Sequence, residues 1–255
     1  NYKSKIDSLN AVLSSLEQSK LELESQLESY KLKWVSQQIK ATAIPELSDN
    51  EKVIHHSAMS LSYNEEHEQA NWVVHMIIKD IKDGNVTRTN DFRVDPFVES
   101  GTAVKDDYWY SGYDRGHLAP SADFRWSRKA LSESYYYSNM SPQLPDLNRQ
   151  IWAKLENKIR EWAIQNEELY VVTGGILKPG LKTIGKNKVS VPNFYYKIIV
   201  DYHEPDYKAL AFVIPNGSTK KHFLEFAVSI DSVERLTGFD FFPNIPDNIE
   251  DRIEE

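Results

Sequence analysis

The chain has 255 residues, 40% of them hydrophobic and 27% charged, and a net charge of −8. This is enough apolar material for one sizeable domain plus an appendage, and no run of 18 or more apolar residues could span a membrane as a helix. Cysteine is absent, which excludes disulfides and thiolate metal sites.

Residues 1–45 read as one long helix. Ile6, Leu9, Leu13, Leu16, Lys20, Leu23, Leu27, Tyr30 and Trp34 alternate spacings of three and four. That spacing is an a/d heptad seam, too narrow to cover a globular core and suited to self-association. The expectation is a coiled-coil homodimer through residues 6–34, to which the body could also contribute. Lys20 at an a position would cost stability and help fix register. Pro45 and Ser48-Asp49-Asn50 mark a boundary, leaving residues 46–255 as a second domain.

Beyond the boundary, residues 72–78, 169–174, 194–201 and 209–214 read as buried strands, the last closed by a turn at Pro215-Asn216-Gly217. Helices are expected at 150–165 and around 223–228. Tyr135-Tyr136-Tyr137 looks strand-like. Strands not regularly followed by helices predict an α+β fold with a central antiparallel sheet.

Charge is unevenly spread. Residues 110–160 carry eight bases and five acids, whereas 240–255 carry six acids and one base. The locally basic segment keeps nucleic acid open as a partner despite the acidic total.

That segment also carries the chemistry. It opens with Asp114-Arg115-Gly116-His117-Leu118-Ala119 and continues through Ser138-Asn139-Met140-Ser141-Pro142-Gln143. Leu147-Asn148 then leads into a helix with Trp152, Leu155, Glu156 and Arg160. Phosphodiester hydrolysis needs a base near neutral pKa to deprotonate water, and histidine fits. It also needs positive charge where the phosphoryl and leaving oxygens become negative, which a divalent cation and arginines provide. Oxygen ligands suit a hard cation such as Mg²⁺. Asn148, Trp152 and Glu156, spaced i, i+4 and i+8, share one side of a helix. Asn148 could cap that helix while aiming its oxygen into a cleft. Arg160 lies one turn further on, within reach of a phosphate.

These motifs resemble the DNA/RNA non-specific endonuclease family, most closely the endonuclease G branch and its bacterial relatives. Leu61-Ser62-Tyr63-Asn64 with Asn71-Trp72-Val73, and Leu236-Thr237-Gly238-Phe239-Asp240-Phe241-Phe242-Pro243, extend the likeness over about 53–251. The resemblance implies a ββα-metal site, with His117 activating water and Asn148 as the direct ligand of Mg²⁺, for which Mn²⁺ could substitute. It implies that Glu156 and Asp114 hold metal-bound waters, that Asn139 supports the strand geometry near His117, and that products carry 5′-phosphates. Arg115 and Arg160 would contact phosphate, with Arg149 a further nucleic-acid contact. The upstream arginine of the family falls on Arg88, with Arg93 the alternative. Exported bacterial relatives and a heptad stalk would suit a cell-envelope or secreted nuclease whose signal or anchor is no longer on the chain.

Plainer readings stand beside these. His55, His56, His67, His75, His203 and His222 read as structural histidines. Asn148 could be only a helix cap, and Glu156 only an exposed partner of Arg160. Arg125, Arg128 and Lys129 read as solvated surface, and the three tyrosines as packing rather than base-stacking groups. The alternatives to a nuclease of DNA and RNA are a non-catalytic nucleic-acid binder on the same fold and a coiled-coil scaffold.

Overall fold

The computed structural model describes residues 1–48, 51–203, 207–246 and 249. Asp49 and Asn50 of the expected boundary, and most of the acidic C-terminal end, lie outside the described residues.

Helix α1 runs from Tyr2 to Thr42, capped by the Asn1 side chain, which accepts from the Lys3 amide at 3.2 Å. No proline or glycine interrupts it. Its seam is bare: Ile6, Leu9, Leu16 and Leu23 are all more than half exposed. A different face meets the body. The Ser127 hydroxyl donates to the Glu28 carboxylate at 2.5 Å, Lys31 pairs with Asp80, and Val35 and Ile39 are fully buried. At 100° per residue, positions 28, 32, 35 and 39 lie about a third of a turn from the seam. The helix can therefore dock through one face and leave the other uncovered. Val35, Ile39 and Ala43 belong to the main core.

Three strands follow: β1 (Val53–His55), β2 (Met59–Asn64) and β3 (Gln69–Ile78). Then come α2 (Lys105–Tyr108), β4 (Asp114–His117), α3 (Arg128–Glu133) and β5 (Met140–Gln143). A π-helical turn at Leu147–Trp152 opens α4 (Ala153–Asn166). The chain continues through β6 (Glu168–Gly175), β7 (Thr183–Ile184), β8 (Val189–Ser190), β9 (Phe194–Asp201), β10 (Lys208–Pro215), β11 (Ala227–Val228) and α5 (Ile230–Thr237).

The architecture is α+β. Seven strands form one antiparallel sheet in the order β1-β2-β3-β6-β9-β10-β11. The middle strands are continuous runs of branched and aromatic residues because elements cover both faces, so almost every position of β3 and β9 is buried. Helix α4 contributes Leu155, Ile159 and Ala163 to the core. Strands β4 and β5 form a separate two-stranded ribbon, and β7 and β8 another.

Two local expectations are corrected. Tyr135-Tyr136-Tyr137 is not a strand: amides 135–137 bond in turns and to Arg93, and a 3₁₀ turn at Tyr137–Asn139 delays β5 to Met140. Residues 223–228 are a 3₁₀ turn (Phe223–Phe226) followed by β11, because Ala227 and Val228 pair with Phe212 and Ala211. Helix α5 was not anticipated, although Ser229 caps its start and Gly238, at φ +83°, ends it.

Candidate active site

The site grows from the β4–β5 ribbon. Asp114 pairs with Gln143, Gly116 with Ser141 and His117 with Met140. A Cβ on Gly116 would lie 2.2 Å from the Gln143 side chain, so only glycine lets that side chain cross the ribbon. Asn139 ties the end of β4 to the start of β5. Its Oδ1 accepts from the Ala119 amide, and its Nδ2 donates to the carbonyls of Ala119 and Ser134, all at 2.8–2.9 Å. The backbone just past His117 is thereby fixed from both sides.

The half-buried His117 ring meets Tyr135 edge-on at 5.0 Å and Phe92 at 5.7 Å. Its Nε2 is buried and has no hydrogen-bond partner among the described residues. Burial, together with the guanidinium charges of Arg88 and Arg115, pushes the imidazole down to about 3, against the pull of Asp123. The ring is therefore neutral at neutral pH, which a proton acceptor requires.

The three arginines upstream and within β4 differ in how they are held. Arg93 is fully committed: Nη1 donates to Asp91 and the Ser132 carbonyl, Nη2 to the Ser132 hydroxyl, and the group stacks 4.2 Å from the Tyr136 ring centre. Arg88 is exposed, bonded through Nε to Asn90 at 2.8 Å, and lies 5.9 Å from the Tyr135 ring that His117 also touches. Arg115 stacks 3.8 Å from the Phe92 ring centre. Of the two upstream candidates, only Arg88 combines a free guanidinium end with nearness to His117.

At the other end of β4, Asn148 Nδ2 donates to Asp114 at 3.0 Å. The amide end of Asn148 is spent there, and the carbonyl oxygen is the end available as a ligand. Asn148 is not a helix cap, correcting that expectation. It is the second residue of the π turn, its own amide bonds to the Leu144 carbonyl, and Asp146 takes the capping position without a side-chain bond to a backbone amide. Arg149 grips both Asp114 oxygens, at 2.8 and 2.5 Å. Burial pushes the Asp114 carboxyl up, but Arg149 and Asn148 outweigh it and hold it below the usual carboxylate range.

Beneath the ribbon lies a buried polar network. Burial raises the Glu156 carboxyl, and Asp123 adds to the rise against Lys197 and Arg160. Lys197 of β9 is 1% exposed. Its ammonium donates to the Thr173 hydroxyl at 2.7 Å and the Leu118 carbonyl at 3.4 Å, and sits 5.0 Å from the Trp152 ring centre. Asp123 joins His75 (2.9 Å) to Arg160 (2.7 Å), and Arg160 also donates to Asn157 at 2.6 Å. Arg160 thus turns to Asp123, not outward. Sequence reasoning missed Asp123 and Lys197. The one signal for Lys197 was a charged residue inside the apolar run 194–201.

The other histidines have structural partners: His55 with Ser60, His56 with Asp95, His67 with Ser190, and His203 with Asp201, while His222 caps a turn. A cavity of about 770 Å³ lies elsewhere, lined by Tyr63, His67, Phe97 and Phe239, and contains none of the expected site residues. A polymer needs an open groove, so cavity size is a poor guide to this chemistry.

Residues 37–248 match the family of DNA/RNA non-specific endonucleases. The chain belongs to this family. Among relatives of this endonuclease-family chain, the mitochondrial nuclease EXOG of Danio rerio is 38% identical over 72% of the chain, which spans 58% of that relative's length. A nuclease of a Nostoc species is 37% identical, covering 76% of this chain and 74% of its own. Human mitochondrial endonuclease G is 36% identical, covering 72% and 67% respectively. A chain from a solved EndoG/EndoGI complex superposes with a TM-score of 0.73 at 31% identity, covering 80% of this chain and 89% of that one. The family match begins near the end of α1, so the bare part of the seam precedes it.

Proposed function

We propose that this chain is a metal-dependent, sequence-nonspecific endonuclease that hydrolyses DNA and RNA to 5′-phosphate products. One observation carries the reading: the half-buried, neutral His117 ring has no hydrogen-bond partner among the described residues and is flanked by the charges of Arg88 and Arg115. Nε2 is shut off from solvent, so in the tautomer with the proton on Nε2 it is Nδ1 that accepts a proton from water as the water oxygen attacks phosphorus. The bond from phosphorus to the 3′ oxygen breaks, and that oxygen takes up a proton on leaving. Arg88 and Arg115 hold the non-bridging oxygens. A phosphate bound there would offset the charges that depress His117, so the base strengthens when substrate is in place.

The donor set fits a hard, largely hydrated cation. Among the described residues no three histidines, aspartates or glutamates converge into a cage, but Asn148 offers a free carbonyl oxygen beside the carboxylate of Asp114. Mg²⁺ held by Asn148, with Glu156 and Asp114 contacting its waters and Mn²⁺ able to replace it, would supply positive charge to the phosphoryl and leaving oxygens. Contacts mainly to phosphate give little sequence preference. The bare heptad seam of α1 supports pairing with a second copy of the chain.

The test is digestion of plasmid DNA and total RNA, with Mg²⁺ and with EDTA, by wild type and His117→Ala. Metal-dependent degradation of both substrates by wild type alone is expected. Cleavage by His117→Ala at the wild-type rate would overturn the role of His117, and inert wild type across metals would overturn the nuclease reading.

A further inference from the structure

The segment leading into β4 has a feature that neither packing nor backbone geometry explains. Trp109 and Tyr110 follow α2 and are 59% and 93% exposed. Tyr110 sits at φ +56°, a left-handed conformation that glycine adopts freely and a tyrosine does not. Residues in such conformations cluster at active and ligand-binding sites, and so exposed a side chain is not serving the core. The two rings meet edge-on with centres 5.3 Å apart, and the Lys105 ammonium lies 4.8 Å from the Trp109 ring centre. Nearby, Lys182 lies 5.2 Å from the ring centre of Tyr113.

The pair is presented from a firm base. Tyr108 is buried and stacks on Tyr137 at 5.9 Å, in a small core with Ile184 and Val189 of the β7–β8 hairpin. Asp107 bonds the hairpin through Asn187. Tyr110 lies four positions before Asp114, which holds Asn148, so the two Cα atoms lie within about 14 Å. A polynucleotide crossing the site reaches the pair within a few nucleotides.

We infer that Trp109 and Tyr110 form a stacking platform for unpaired bases of the polynucleotide, continuous with the candidate site and favouring single-stranded over duplex substrates. This rests on the nuclease reading. Aromatic faces accept any base, and lysines beside them attract the backbone. Paired bases in a duplex are already stacked, so they gain nothing from the platform.

The test measures binding of a fluorescent oligothymidylate and of a duplex of equal length, both in EDTA, by wild type, Tyr110→Gly and Trp109→Ala/Tyr110→Gly. The double variant is expected to bind the single strand about tenfold or more weakly, with duplex affinity nearly unchanged. Tyr110→Gly relieves the backbone strain and is expected to unfold at no lower temperature than wild type. Equal weakening on both probes, or none on either, overturns the platform. If wild type still cleaves polynucleotides with Mg²⁺ in that case, the nuclease reading survives; if it neither binds nor cleaves them, that reading fails instead.

Discussion

Arg149 holds Asp114 by both carboxylate oxygens, and the same carboxylate receives the Asn148 amide. A residue expected to meet nucleic acid is instead engaged with the acid that orients the candidate metal ligand. Arg149→Ala is therefore expected to raise the Mg²⁺ concentration giving half-maximal cleavage. The thermal midpoint should barely move, since exposed ion pairs contribute little. The salt dependence of DNA binding in EDTA should keep its slope. A slope reduced by about one would return Arg149 to the phosphate contacts.

His117→Ala should lower the cleavage rate by roughly a hundred- to ten-thousandfold, the range for a general base, while DNA binding in EDTA persists. Single-turnover cleavage set against fluorescence anisotropy separates the two. Loss of both in equal measure would mean that the ring supports the groove rather than the proton transfer.

His117 also makes stability depend on pH. Unfolded, it takes up a proton near 6.5; folded, only near 3. Between those values the unfolded chain binds more protons, so stability falls as pH falls through the window. His75, also lowered by burial, acts in the same direction. Denaturant midpoints at pH 7 and pH 4 should drop more for wild type than for His117→Ala. Equal drops would show that His117 is not held neutral in the folded chain.

Removing the buried ammonium of Lys197 leaves Glu156 and Asp123 without its compensating charge. Lys197→Ala should destabilise by about 3–5 kcal/mol. Lys197→Met combined with Glu156→Gln should recover part of that loss. A double variant as unstable as the sum of its singles would mean that the two groups do not interact.

The proposed pairing of α1 is tested by sedimentation. The whole chain should sediment as a dimer, and a chain beginning at Glu28 as a monomer that keeps its fold. A cut at Ser48 would be the wrong experiment, because it removes Val35, Ile39 and Ala43 from the core. A dimer that survives the Glu28 cut would place the contact on the body.

The parts of this molecule that were legible in sequence are those encoded locally. The long helix, the strands at 72–78 and 194–201, and the Asp114–His117 and Asn148–Glu156 segments each carry their own pattern of spacing or residue type. Long-range partners were not legible. Nothing near Asp123 announces His75 or Arg160, which lie 48 and 37 residues away in the chain. Arg149 looked like a phosphate contact because a free arginine and one bound to Asp114 have the same local sequence. The strand-like Tyr135-Tyr136-Tyr137 failed for the opposite reason: its β propensity is real, but its amides are claimed by turns and by Arg93.

The π turn at Leu147–Trp152 has a consequence of its own. A wide turn holds an extra residue relative to an α-helix, and one residue of α-helix corresponds to 100° of rotation. Removing Gln150, an exposed residue of this turn, would take out the extra residue and change the rotation between Asn148 and Glu156, turning Asn148 relative to Asp114. The aim of the Asn148 oxygen is thus encoded in a residue count as much as in residue identity. On the proposed reading, loss of that one residue would stop cleavage while every expected site residue stays in the sequence.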